Sequence, residues 1–328
     1  MYLSRPDAPA MNSLSCIVLL ALAFFPLHSA RSQEVPERDE LLKITNGTAT
    51  VGVDRQKGGA ITWLSSKWHA ENIVNIHDPG RLIQQSYYSG KVLDRTTEGQ
   101  SKNWSPWPWN PIQGGGVSSW ARVKKLEKQG EFSLFGETVP KLWDMPNEEA
   151  AATMQQWTTF DEKMSNVIVV RNRLQCIRQP GDRWGPAAAR HQEVPACYFI
   201  RSFDHFASYL GDSKWRREVQ AAGPPWGKAQ PPLNAMACFH SSGQGVAVYS
   251  PTANRHWNFG PHVKKMSELP EAAPCVHIAP ITRVRLGPKS TFEYRYWLIL
   301  GDRDGITACL ETLMVAYRDE RSVLHDAQ

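Results

Sequence analysis

The 328-residue sequence lacks several patterns that would assign it to a common functional class. No cysteines form a C-x-x-C pair and no H-x-x-H or H-E-x-x-H spacing occurs, so neither a zinc site nor a catalytic transition metal is expected. The net charge is only +5. Basic residues are scattered apart from short pairs such as Lys124-Lys125, which is too diffuse for a nucleic-acid footprint. Beyond residue 30, no apolar run approaches the ~20 residues of a membrane-spanning helix.

The one long apolar run lies at the N-terminus, at residues 14–27, and His28-Ser29-Ala30 follows it. This pattern is typical of the apolar region and small-residue cleavage site of a secretory signal peptide. We therefore predict a signal peptide at residues 1–30, a lead-in at 31–43 and a single domain at 44–328. The mature protein is expected to be secreted or periplasmic, without stable membrane insertion.

The cysteines downstream of residue 30 are odd in number, so at least one thiol must be free. Most of them fall in predicted strands or in the last predicted helix. Buried thiols are therefore expected, with one disulfide as the alternative. These cysteines are Cys176, Cys197, Cys238, Cys275 and Cys309.

Strand signals dominate the rest of the chain. Alternating or β-branched runs bounded by turn residues predict strands at residues 44–53, 60–64, 118–126, 132–143, 154–160, 166–176, 194–200, 235–240, 245–250, 276–284 and 291–300. No alternation of strands and helices appears, which argues against a parallel sheet. Apolar residues spaced i, i+3, i+4, i+7 from Ile306 to Tyr317 predict an amphipathic helix, and residues 204–217 are a weaker helix candidate.

Residues 75–115 carry an unusual mixture of aromatic and polar side chains. A packed core favours aliphatic residues and leaves long polar side chains in water. A sugar-binding cleft combines flat aromatic faces, which cover the C–H face of a pyranose, with amides, arginine and carboxylates that bond the hydroxyls. The stretch contains His77, Asp78, Arg81, Gln84, Gln85, Tyr87, Tyr88, Trp104, Trp107, Trp109, Asn110 and Gln113.

Three long loops interrupt the strand pattern, at residues 178–190, 221–232 and 252–274. The second is proline-rich and carries Trp226, and the third carries His256 and His262. Long loops in a compact β protein are often binding loops.

Several segments resemble the galactose-mutarotase-like superfamily, which includes aldose 1-epimerases, polysaccharide lyases and glycosidases. Residues 51–54 with 58–61 look like that fold's first hairpin, and residues 78–81 with 84–86 resemble its sugar-facing strand. Residues 110–115, Asn-Pro-Ile-Gln-Gly-Gly, are similar to the epimerase N-x-L-H-G-G turn, with glutamine in place of histidine. The resemblance covers most of residues 44–301. It implies a mainly β fold, an antiparallel β-supersandwich with a C-terminal helix.

The sequence also departs from the epimerase pattern at the position of the catalytic base. Epimerases use a histidine acid and a glutamate base, but residues 286–289 carry Lys289 where the glutamate is expected. His191 and Glu193 are alternative candidates, because residues i and i+2 of a strand face the same side and could line one cleft. Tyr87 and Tyr88 would face opposite sides, so one of them is expected in the core. Tyr88 is the third catalytic candidate, as a lyase-type acid or base.

The substrate-binding candidates follow from the same chemistry. Arg81 suits a carboxylate or a vicinal diol, and a buried structural ion pair is its alternative. Asp78 could accept from a sugar hydroxyl or hold a structural calcium ion, and a turn-forming role is its alternative. No cofactor is expected to be required. The full set is His77, Asp78, Arg81, Gln85, Trp107, Trp109, Asn110, Gln113 and His256.

These observations predict an exported carbohydrate-active protein whose partner is an oligo- or polysaccharide, not a nucleic acid. Glycan cleavage by a glycosidase or a polysaccharide lyase is the favoured activity. A mutarotase-type sugar epimerase and a non-catalytic carbohydrate-binding protein are the alternatives.

Overall fold

The computed structural model describes residues 40–263 and 274–320. The strands are β1 (Leu41–Thr45), β2 (Ala49–Asp54), β3 (Ala60–Ser66), β4 (Gln84–Ser86), β5 (Ser89–Leu93), β6 (Trp107–Trp109), β7 (Pro111–Ile112), β8 (Gly115–Gly116), β9 (Ser119–Trp120), β10 (Arg122–Lys128), β11 (Ser133–Val139), β12 (Lys141–Leu142), β13 (Ala152–Phe160), β14 (Val167–Cys176), β15 (Ala188–Ile200), β16 (His205–Gly211), β17 (Lys214–Glu218), β18 (Gly227–Ala229), β19 (Ala235–Phe239), β20 (Gly245–Tyr249), β21 (Trp257–Pro261), β22 (Cys275–Leu286) and β23 (Thr291–Gly301). The α-helix of the described residues is α1 (Arg303–Ala316), and short 3-10 helices lie at Arg55–Lys57, Thr96–Glu98, Lys102–Trp104 and Arg318–Glu320.

Two large sheets form the sandwich. The larger has nine strands in the order β10-β11-β13-β14-β23-β20-β19-β16-β17, and the smaller has seven in the order β12-β7-β4-β15-β22-β21-β18. A three-stranded sheet of β1, β2 and β3 and two short ribbons, β5-β6 and β8-β9, complete the set. The paired strands are antiparallel. The predicted antiparallel β-supersandwich is confirmed.

The period of two along each strand distributes side chains between the layers. On β14, Ile168 and Val170 enter the main core between the sheets, whereas Val167 and Val169 face the other way. Leu298 of β23 also belongs to the main core. On β15, Phe199 faces the core, and the opposite face of the seven-stranded sheet is left open for a site.

Helix α1 covers the outer face of the nine-stranded sheet. Its Ile306, Leu310 and Leu313 pack with Trp297 in a second apolar cluster. Asp302 caps its N-terminus, where the carboxylate accepts a hydrogen bond of 2.8 Å from the Gly305 amide. The predicted C-terminal helix is therefore confirmed, with its apolar stripe on the sheet.

Two local predictions are wrong. Residues 44–53 are not one strand, because Asn46-Gly47 forms the turn of a β1-β2 hairpin, and this dipeptide is a strong hairpin signal. Residues 204–217 are not a helix but the hairpin of β16 and β17, which turns at Asp212 and Ser213, both with positive φ. Pairing with β19 stabilises that hairpin in the sheet.

The predicted signal peptide and most of the predicted lead-in lie outside the described residues, although β1 already begins at Leu41. Export therefore stays a prediction. In the ranges that the structure describes, no helix combines the length and the apolar composition needed to cross a membrane.

The five described cysteines are all free and buried, so the alternative of one disulfide is not realised. Burial raises the pKa values of the Cys197 and Cys238 thiols well above the usual range of a cysteine. Burial also raises the pKa of Cys275 to about 12. The thiols of Cys176 and Cys309 shift in the same direction for the same reason. Buried thiols with raised pKa values are unreactive.

We expect these five thiols to resist iodoacetamide in the native protein at neutral pH and to alkylate readily in guanidinium chloride. Peptide mapping by mass spectrometry measures each site separately, and the denatured sample is the control. Rapid alkylation of any of the five in the native protein would contradict the buried placement.

Candidate functional site

Two adjoining cavities open on the outer face of the seven-stranded sheet. The first, here called the aromatic cleft, has a volume of about 250 Å³ and is lined by Gly80, Arg81, Ser86, Tyr88, Trp104, Trp107, Asn110, Ile112, Trp143, Glu193, Tyr198, Pro224, Trp226 and His262. The second, here called the basic cavity, has a volume of about 450 Å³ and is lined by Tyr88, Ala189, Arg190, His191, Glu193, Asn258, Ile281 and Arg283. Tyr88 and Glu193 line both, so they stand at the junction.

Indole rings form much of the wall of the aromatic cleft. The ring centres of Trp104 and Trp107 are 5.1 Å apart and those of Trp104 and Trp143 are 5.3 Å apart, both edge to face. Tyr88 meets Trp107 edge-on at 6.3 Å. Trp226 approaches Tyr198 at 6.4 Å. These rings remain partly exposed or border the opening, so flat apolar faces are offered to a ligand.

Buried amides hold the wall in place. The Nε1–H of Trp107 donates to Oδ1 of Asn110 at 3.0 Å, and Nδ2 of Asn110 donates to the Tyr87 carbonyl at 2.7 Å. The Gln192 amide accepts from the Tyr88 backbone N–H at 2.7 Å and donates to its carbonyl at 2.9 Å. Asn110 therefore positions Trp107, and Gln192 ties the backbone of Tyr88 to β15.

The turn at residues 78–81 brings Arg81 to the cleft. The guanidinium of Arg81 forms an ion pair with the Asp78 carboxylate, and the Arg81 amide donates to the Asp78 carbonyl at 3.2 Å. Gly80 is required by close approach, because a Cβ there would lie 2.2 Å from the Trp143 ring. Asp78 thus orients Arg81 and lies outside the lining of either cavity.

Glu193 faces a buried histidine. Its Oε1 lies 3.5 Å from Nε2 of His277, whose side chain is fully buried. Nδ1 of His277 is 3.1 Å from the Cys197 carbonyl, and since a carbonyl only accepts, Nδ1 carries a proton and Nε2 is the atom directed at Glu193. The ring of His277 also stacks on Tyr198 at 4.2 Å. Glu193 therefore lies at the junction with a buried, held imidazole beside it, although no hydrogen bond joins the two side chains.

The protonation of two neighbours is set by their surroundings. Burial, followed by the negative charge of Glu193, raises the pKa of Tyr88, so the phenol keeps its proton at neutral pH. Burial lowers the pKa of His262 to about 4, and the positive charge of Arg81 acts in the same direction. The cleft thus offers a protonated phenol and a neutral imidazole.

The basic cavity contains the other predicted catalytic residue. His191 lies two residues before Glu193 on β15 and lines the same cavity, as the spacing predicts. The pKa of His191 is lowered first by burial and then by the positive charges of Arg255, Lys228 and Arg283. The centre of the His256 ring lies 5.9 Å from that of His191. Nε2 of His256 lies 2.7 Å from Nζ of Lys228.

The structure brings Arg81, Tyr88, Glu193, Trp107 and Asn110 to the aromatic cleft. Three other predicted residues, Gln85, Gln113 and Trp109, line neither cavity and are at most 1% exposed, whereas Asn110 is equally buried but lines the cleft. Gln113 bonds the Gln85 amide, the Gly59 carbonyl and Gln156. The prediction that these three residues contact the ligand is therefore corrected. They support the cleft from behind, because their side chains do not reach its surface.

His77 is exposed and lines neither cavity. Tyr87 is fully buried and donates to Gln85 at 2.9 Å, so it is the core member of the tyrosine pair and Tyr88 is the cleft member.

Sequence reasoning did not assign five residues of the site: Trp143, Tyr198, Trp226, His262 and His277. Trp226 and His262 belong to two of the three long loops, which were a usable signal. Tyr198 and His277 lie inside strands, and nothing local distinguishes them from core residues.

A larger cavity of about 640 Å³ lies beside α1, where Phe206, Phe239 and Arg303 contribute to its lining. Arg303 there stacks on Phe239, and Asp302 caps the helix, so these groups already have structural roles. Within residues 40–263 and 274–320, no group of three or more His, Cys, Asp or Glu side chains is placed to hold a metal ion. The Asp78 carboxylate considered for calcium is engaged by Arg81.

No protein-family model and no curated protein sequence matches the chain. Several solved structures do match the chain. A galactose mutarotase-like protein from Lactobacillus casei has a TM-score of 0.48 at 11% identity, over 79% of this chain and 99% of that one. A homologue of aldose epimerase from C. elegans has a TM-score of 0.44 at 9% identity, over 80% and 98%. A heparan sulfate lyase from Pedobacter heparinus has a TM-score of 0.38 at 12% identity, over 80% of this chain and 36% of that one.

Proposed function

We propose that this protein binds a sugar ring of an oligo- or polysaccharide in the aromatic cleft and cleaves the glycan there by elimination at a uronate. The observation that carries the proposal is that Arg81, Tyr88 and Glu193 line one cleft whose walls are aromatic rings. As an exported protein, which residues 1–30 predict, it would meet glycan polymers more often than free aldoses.

The walls of the cleft support sugar binding. The ring of Trp104 makes an angle of 75° with that of Trp107 and 72° with that of Trp143, which offers apolar faces in more than one orientation. A pyranose presents C–H groups on its faces and hydroxyls around its rim, so it pairs with such rings and with polar groups between them. His262 and Arg81 supply polar groups on the same lining.

The polar residues support elimination. Arg81 would bind the uronate carboxylate and stabilise the negative charge that develops at C5. Glu193 would take the C5 proton, the C4–C5 double bond would form, and the C4–O bond would break. The leaving oxygen would take the phenolic proton of Tyr88, whose raised pKa keeps that proton available. Exchange with water then returns a proton to Tyr88 and removes one from Glu193.

Hydrolysis is the neighbouring route, and it conventionally requires two carboxyl groups flanking the bond. Glu193 is the carboxylate that lines the cleft among the described residues, while Asp78 lines neither cavity. This difference favours elimination over hydrolysis.

To test the proposed cleavage, the mature chain is incubated with a panel of uronate-containing and neutral polysaccharides. We expect ultraviolet absorbance from an unsaturated uronate to rise in step with new reducing ends on a uronate-containing glycan. We also expect Trp107→Ala to weaken binding by about tenfold or more, since stacking faces are lost. Trp68→Ala is the matched control, because Trp68 is 45% exposed and lines neither cavity.

The outcomes separate the alternatives. Reducing ends without absorbance would replace elimination with hydrolysis. Binding without any product would leave a carbohydrate-binding protein. If no glycan binds and Trp107→Ala behaves like Trp68→Ala, the proposal as a whole fails.

A further inference from the structure

A continuous row of basic side chains crosses four neighbouring strands beside the aromatic cleft. His191 on β15 is the direct cross-strand partner of Arg283 on β22. The His191 ring lies 5.9 Å from that of His256, which immediately precedes β21, and His256 meets Lys228 of β18 at 2.7 Å. Arg283, His191, His256 and Lys228 are here called the basic row.

Few negative charges balance the basic row. Among the residues that the structure describes, no carboxylate forms an ion pair with Arg283, Lys228 or Arg190. Glu193 is the described carboxylate that lines the basic cavity, and it is directed at His277. The Arg190 guanidinium is fixed at the wall because Nε donates to the Gly90 carbonyl at 3.0 Å.

The positive charge of the basic row comes from Arg283 and Lys228. Burial, followed by Lys228 and His191, lowers the pKa of His256 to about 4, and the pKa of His191 is also lowered mainly by burial. Both imidazoles are therefore neutral at neutral pH and can donate or accept hydrogen bonds. An anion placed over the row would be attracted by the two cations.

We propose that the basic row is a subsite for an anionic group, a sulfate or a carboxylate, on the sugar next to the one in the aromatic cleft. The two cavities share Tyr88 and Glu193, so adjacent sugars of one chain can occupy both. Arg283 supplies a planar fork for two oxygens of the anion, and Lys228 supplies a point charge from the other end of the row. The substrate class is accordingly a polyanionic glycan. This inference rests on the proposed sugar binding, but not on the proposed cleavage.

The test is calorimetry of the mature chain with three oligosaccharides of the same backbone: one sulfated, one carboxylated and one neutral. We expect Arg283→Ala to weaken binding of at least one anionic oligosaccharide by about tenfold, the usual size for a hydrogen bond to a charged group, and to leave the neutral one within about twofold. Lys228→Ala should act in the same direction. Whichever anionic oligosaccharide responds identifies the anion, and inorganic sulfate should compete if it is the sulfated one.

Arg217→Ala is the matched control, because Arg217 is an exposed arginine on β17 of the other sheet. Arg283 and Lys228 are also exposed, so the variants are expected to fold, and their melting temperatures verify this. Equal binding of the anionic and neutral oligosaccharides by the wild type, or unchanged anionic binding in both variants, overturns the subsite. Loss of anionic binding in a protein that yields no product supports the subsite and rejects the cleavage instead.

Discussion

Glu193→Gln is expected to lower kcat for glycan cleavage by roughly 10²–10⁴, the range that a positioned general acid or base contributes. Glutamine keeps the size and shape of the side chain but cannot accept the C5 proton. The KM is expected to change little, because the stacking rings and Arg81 are untouched. Initial rates followed by absorbance or reducing ends, with binding measured separately, give the two quantities.

The geometry explains why a large effect is expected at this residue. Glu193 lies at the junction of the two cavities, and its side chain is 14% exposed. His277 lies 3.5 Å away and is itself held by the Cys197 carbonyl, so a fixed imidazole stands beside the carboxylate. Loss of a general base so placed removes the group that would take the C5 proton.

Glu218→Gln is the control for this variant. Glu218 lies on β17, and its side chain is 15% exposed, so the burial is matched. It pairs with Arg216 and lines neither cavity. Full turnover in Glu193→Gln, with a melting temperature equal to that of the wild type, would falsify the role assigned to Glu193.

Gln113→Ala is expected to lower the free energy of unfolding by roughly 3–6 kcal/mol, since it strands several buried polar groups that each cost about 1–3 kcal/mol. Oε1 of Gln113 accepts from the Gln85 amide at 3.1 Å, and Nε2 donates to the Gly59 carbonyl at 3.0 Å and to Gln156 at 3.1 Å. The side chain thus joins β4 and β13 to the turn at Gly59. Urea denaturation measures the loss.

The same variant separates a supporting role from a ligand contact. While it remains folded, Gln113→Ala should bind the glycan with nearly the wild-type affinity, because Gln113 is only 1% exposed. Gln129→Ala, at an exposed glutamine, should change the free energy of unfolding by less than about 0.5 kcal/mol. Unchanged stability together with a lost affinity would show that Gln113 faces the ligand after all.

Local sequence patterns determine much of the fold. On β14, the buried Val170, Leu174 and Cys176 alternate with Arg171, Arg173 and Gln175, which are not buried. The apolar spacing from Ile306 to Tyr317 identified α1 because a helix that packs on a sheet needs one apolar stripe. The hairpin of β16 and β17 was missed, since its strand character depends on pairing with β19 rather than on its own residues.

The composition of residues 75–115 indicates a sugar cleft, but it does not distinguish the residues that line the cleft from those that support it from behind. Gln113 and Asn110 are both amides in one turn, yet only Asn110 lines the cleft. Trp109 is buried with the Arg178 guanidinium 5.2 Å from its ring centre, while Trp107 faces the opening. Which amide finds buried partners depends on strands far away in the chain.

The sequence by itself determined the strand-rich class, the terminal helix, the aromatic and arginine chemistry of residues 75–115 and the shared face of His191 and Glu193, because each depends on a short-range period or on composition. Only the tertiary structure decided that Tyr198 joins Glu193. Their spacing of five would place them on opposite faces of a regular strand. A bulge between Glu193 and Cys197 shifts the phase of β15, so Tyr198 faces outward and pairs with His277. Pro195 lies inside this bulge and cannot donate a ladder hydrogen bond, which favours a bulge there. The register shift also depends on the partner strand β22, which is why the acid, the buried histidine and the aromatic wall come together only in the folded chain.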